Sequence, residues 1–196
     1  VVTVSHDWRA ELARVESERL DPILPAFLAR RRPAGLPRVV GVDVTRSFSD
    51  PLGEDDVRWL VVRADLETDD SEADLLPLTL VPEDEVPRLL DSGPASLLAR
   101  AEGAQRGVLC DALAVPSCGA ELVEAIRSGL TAPLSDGELV GVPLKGLDEL
   151  DLGDAPLVPT NLVRSERFNT TLVFDERLTL KPFRTVEAEI NPDFEM

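Results

Sequence analysis

The chain has 196 residues, 43% of them apolar, with 37 acidic against 20 basic residues and a net charge of −17. That length and apolar share allow one compact domain or two small ones with a real core, and they exclude wholesale disorder. The charge argues against nucleic acid and anionic membranes as partners, since both need clustered Lys or Arg.

No apolar run reaches the ~18–20 residues that span a bilayer. The opening residues VVTVSHDWRAEL lack the basic start and long apolar core of a secretory signal, so a cytoplasmic protein is expected. Two cysteines, Cys110 and Cys118, are too few for a disulfide framework. Their spacing is not that of a zinc pair, and His6 is the single histidine, so no metal ligand set of that kind is expected. The basic residues are 18 arginines and two lysines, Lys145 and Lys181, which makes each lysine a rare choice here.

In chain order, the spacing predicts two short helices, Trp8–Leu20 and Pro22–Arg31, the second capped by Asp21 with proline at its first position. Arg30–Arg32 closes it, either as an anion site or as a solvated helix end favoured by the dipole. From Pro37 the period changes to two. Strands are expected over Arg38–Phe48, Val57–Leu66 and Leu75–Val81, joined by an Asp/Pro/Gly-rich turn and by the acidic turn TDDSEAD. Short polar connections between them indicate an antiparallel meander. Glu83–Asp91 contains Pro87 and allows at most a short turn of helix.

Ser96–Ala101 and Gly107–Ala114 read as two more strands, or as a strand leading into a helix. Ser117–Gly129 is the clearest helix of the middle region, with Leu122, Val123 and Ile126 on one face and Gly129 as its stop. Glu138–Leu144 is a further strand. Leu144–Pro159 then turns to Asp, Gly and Pro without a clear period and marks a junction between units 1–150 and 151–196. Its acidic side chains lack the fixed spacing of a calcium loop and read as a hydrated linker.

After Pro159 come strands at Asn161–Arg164, Thr170–Phe174 and Leu178–Phe183, with a tight turn at Phe174–Leu178 and Lys181 near the end of the last arm. Read alone, this is a hairpin with a snorkelling lysine, followed by an Asn-Pro helix start. The run Phe168-Asn169-Thr170-Thr171, the apolar Leu172-Val173-Phe174, the turn at Asp175, then Leu180-Lys181-Pro182-Phe183-Arg184 and Asn191-Pro192-Asp193-Phe194-Glu195 resembles the maltokinase family. These are ATP-dependent kinases of bacterial trehalose and α-glucan (glycogen) metabolism. About 30 residues carry that likeness in order and spacing, and the upstream meander is similar to the family's N-terminal cap domain. The family's aromatic-rich motif after its first helix has no counterpart in Arg31-Arg32-Pro33-Ala34-Gly35.

The resemblance implies that Asn169, Thr170 and Thr171 cover the phosphates of ATP, that Lys181 contacts the α- and β-phosphates, and that Glu195 holds the lysine. It implies Mg²⁺ as well, held by a catalytic loop and a later Asp motif in a large lobe that this sequence does not contain. No catalytic residue and no metal ligand is therefore expected in this chain, nor kinase activity from it alone. The expected fold is α+β: a curved antiparallel sheet with flanking short helices, followed by the first strands of a kinase-like small lobe. Implied partners are the remaining kinase lobe or a trehalose synthase. The alternative is a stand-alone, non-catalytic interaction module that keeps the motif as scaffold.

Overall fold

The structure, a computed structural model, describes residues 2–4, 20, 22–32, 34–49, 52, 57–92, 96–103, 106–134, 137–143, 145–147, 159, 161–164 and 170–186. The fold is α+β, as expected: a curled antiparallel sheet with a few short helices. The sheet holds β2 (Val39–Ser49), β3 (Arg58–Leu66), β4 (Ser71–Pro82), β5 (Leu97–Gly103) and β6 (Gly107–Asp111). Its order is β1-β5-β6-β4-β3-β2, and β1 (Val2–Val4), which the sequence pattern did not suggest, adds to β5 in parallel. Register shifts at Val39/Gly41 and Val44/Arg46 put bulges in β2, which bend a strand.

Alternation along β3 and β4 sorts the core onto two faces. Leu60, Val62, Ala64, Leu76 and Leu78 share a cluster with Leu24, Phe27 and Leu28 of α1 (Leu24–Arg31). Alternate positions Val57 and Trp59 pack with Leu113 and with Cys118 of α3 (Pro116–Ser128). A short helix α2 (Val86–Ser92) accommodates Pro87 in its first turn, where no intrahelical N–H is needed. Asp111 ends β6 and caps a 3₁₀ turn, Ala112–Ala114, by accepting from the Leu113 N–H at 3.1 Å.

Three expectations need correction. The acidic stretch read as a turn is strand from Ser71 onward, because Glu72 finds an ion-pair partner across the sheet face. The strand drawn over Glu138–Leu144 is β8 (Gly137–Val140), pairing with β7 (Thr131–Leu134), whose Pro133 had hidden it. β9 (Asn161–Arg164), β10 (Thr170–Phe174) and β11 (Leu178–Leu180) form a separate antiparallel sheet in the order β11-β10-β9. The strand expected to reach Phe183 therefore ends at Leu180. Pro182 has no N–H to continue the ladder.

The helix expected at Trp8–Leu20 lies almost wholly outside the described residues, as does most of the acidic junction, and α1 starts at Leu24 with Ile23 at its cap and Pro25 in its first turn, not at Pro22 after Asp21. No helix among the described residues is long and apolar enough to cross a membrane.

Candidate functional site

The short sheet is built by simple pairing. On β10, Thr170, Leu172 and Phe174 are buried and alternate with half-buried Thr171 and Val173. Leu172 pairs with Leu180, and Phe174 with Leu178, so β11 supplies the other half of the same apolar face. That face rests on α3 through Val123. Gly119 makes the approach possible, since a Cβ there would lie 2.6 Å from Leu172 Cδ1 and 3.5 Å from Phe174 Cζ. The β10–β11 turn places Asp175 and Glu176 at φ 49° and 56°, in the left-handed region, and the Arg177 N–H closes it on the Phe174 carbonyl at 3.0 Å.

Past β11 the chain changes sheets. β6 pairs with β4 only over Leu78–Pro82, leaving the other end of that β4 edge open. Residues 184–186 fill it. Leu75 N–H donates to the Arg184 carbonyl at 2.7 Å, Val186 N–H donates to the Ala73 carbonyl at 2.8 Å, and Thr185 lies opposite Asp74.

Charge gathers at this crossing. Asp111, 4% exposed, accepts from Arg31 Nη1 at 2.8 Å and from Arg184 Nη2 at 2.6 Å, both on Oδ2. Arg184, 5% exposed, also donates from Nη2 and Nε to Thr170 Oγ1, at 2.9 and 3.3 Å. Its Nη1 has no hydrogen-bond partner among the described residues. Arg32 pairs with Glu72 at 2.6 Å. Asp74 sits among these groups, its Oδ1 without a hydrogen-bond partner among the described residues. Burial, and then the Glu72 charge, push the Asp74 carboxyl above its usual range against the pull of Arg31, Arg184 and Arg32. Burial, and then the Asp111 charge, push the Cys110 thiol up to about 12, which leaves no reactive thiolate at neutral pH.

The predicted site residues separate in this geometry. Thr170 lies on the buried face with its hydroxyl held by Arg184. Thr171 lies on the opposite face, half-buried. Lys181 is exposed just beyond β11, its ammonium 4.9 Å from the Phe183 ring centroid, a cation–π distance. Asn169 and Glu195 lie outside the described residues. Arg31 and Arg32 are not an open anion site, because they meet Asp111 and Glu72, while Arg30 stays exposed at the helix end and donates to the Leu97 carbonyl at 2.8 Å. Asp111 and Arg184 escaped the sequence reading. The available signals were one Asp inside the apolar run GVLCDALA and one Arg directly after KPF.

Among the described residues, no group of three or more His, Cys, Asp or Glu is placed to hold a metal ion. No protein-family profile matches the chain, and no curated protein matches it.

Proposed function

We propose that this chain is the cap and opening small-lobe portion of an ATP-dependent, maltokinase-like sugar kinase. The observation that supports this reading is the arrangement of β9, β10 and β11 as one antiparallel sheet, with exposed Lys181 just beyond its last strand. In kinases the phosphate-contacting lysine sits on a strand of the small lobe, and Lys181 directly follows this one. Lys181 would meet the α- and β-phosphates of ATP, Asn169 to Thr171 would cover them, and Glu195 would hold the lysine. ATP would supply the phosphoryl group, with Mg²⁺ and the acceptor, maltose, bound by a large lobe. The protein would work in the cytoplasm, and the cap would face the rest of the kinase or a trehalose synthase.

One observation favours the alternative, a non-catalytic interaction module. The Thr170 hydroxyl is already engaged by Arg184, on the buried face. MgATP titration by calorimetry separates the two. Binding to wild type that weakens tenfold or more in Lys181→Ala supports the half-site; equal, negligible binding by both supports the module. In a coupled assay the chain alone is expected to show no maltose-dependent ATP turnover.

A further inference from the structure

Arg184 stands where three parts of the chain meet. Its carbonyl accepts from Leu75 on the β4 edge, and its guanidinium bridges Asp111 at the end of β6 and Thr170 at the start of β10. The anchor is preset. Asp111 is oriented by the Leu113 N–H and already held by Arg31 from α1 before Arg184 is considered. Lys181 is three residues away from Arg184, so its backbone lies within about 11 Å of this fixed point.

We propose that Arg184 is a positioning residue, a latch that sets the segment carrying Lys181 against the long sheet by sharing Asp111 with Arg31. Release of the latch frees residues 182–186 from the β4 edge while the long sheet stays paired. The chemistry favours a latch over ordinary packing. A guanidinium fork bonded to a buried carboxylate and a hydroxyl is geometrically specific. Among the described residues, backbone attachment at this edge is short by contrast: two hydrogen bonds, at Leu75 and Val186. None of this requires a nucleotide, and the latch stands whether or not MgATP binds.

Amide hydrogen exchange on the full 196-residue chain tests it. In Arg184→Gln, exchange at Leu75, Val186 and the β10–β11 amides is expected to accelerate tenfold or more, while β2–β3 amides stay within twofold of wild type. Arg184→Lys keeps the charge on Asp111 but not the fork, and should recover part of that protection. Should Arg184→Gln not fold, Thr170→Val decides: the same amides should accelerate several-fold with β2–β3 unaffected. Acceleration spread evenly over both sheets, or unchanged rates at Leu75 and Val186, overturns the latch.

Discussion

The two sheets solve the same problem at different scales. The long sheet carries strands of up to 12 residues and builds a core between its own face and α1. The short sheet has strands of 4, 5 and 3 residues, too few to bury a face independently. It borrows what it lacks from the body of the long sheet. α3 supplies Gly119 and Val123 as an apolar floor, the β4 edge supplies backbone partners, and Asp111 supplies a buried counter-charge. A small sheet can be ordered by elements far away in sequence when each of its contacts is of a different kind.

The largest break in that comparison should come from charge. Removing the shared carboxylate of a buried, hydrogen-bonded ion cluster leaves its cations uncompensated, at about 3–5 kcal/mol. Asp111→Asn strands Arg31 and Arg184 at once, so urea unfolding should show a loss in that range. The matched control is Asp43→Asn, which removes an exposed partner of Arg63 on the surface of the long sheet. There the expected loss is within about 1 kcal/mol. Equal losses in the two variants would mean that burial is not what makes the Asp111 cluster matter.

A somewhat smaller effect tests the apolar floor. Leu172→Ala removes a fully buried side chain from the α3 contact, and core truncations of this type cost about 2–5 kcal/mol. Gly119→Ala attacks the same contact by crowding it, at about 1–3 kcal/mol, because the Leu172 methyl it meets is itself packed. A thermodynamic cycle with both changes should be markedly non-additive, since Ala at 172 vacates the space that Ala at 119 needs. Additive losses would show that the two residues do not share the contact.

How much of this could be read from residue order follows from the range of each interaction. β9 and β10 were legible to the residue, because their bounds are set by local alternation and turn chemistry. α3 was legible to within one residue, with Gly129 at φ 63° as the signal that ends it. β7 escaped because Pro133 interrupts four residues that have no other period. The start of β4 escaped because Glu72 and Asp74 read as solvated turn residues until Arg31 and Arg32 are placed over them. Arg184 and Asp111 are 73 positions apart, and no spacing rule connects side chains that meet only after two sheets have packed. Of the candidate nucleotide residues, the rarity of lysine pointed to Lys181, while composition could not say that Thr170 faces inward.

The finest test lies in pH. The Asp74 carboxyl is held above its ordinary value of 3.8, mainly by burial and then by Glu72. In the window between 3.8 and that raised value, the folded state binds more protons than the unfolded chain. Stability attributable to this group is therefore fully present below 3.8 and falls as pH rises through the folded value, opposite to the behaviour of a salt-bridged carboxylate. Asp74→Asn removes the charge that burial opposes. At neutral pH the variant should match or exceed wild type, and the difference between the two should shrink as pH is lowered towards 3.8. Taking that difference cancels the contribution of the other carboxylates, so urea midpoints of both proteins across the acid range suffice. A difference that does not change with pH would mean that the arginines around Asp74 fully offset its burial.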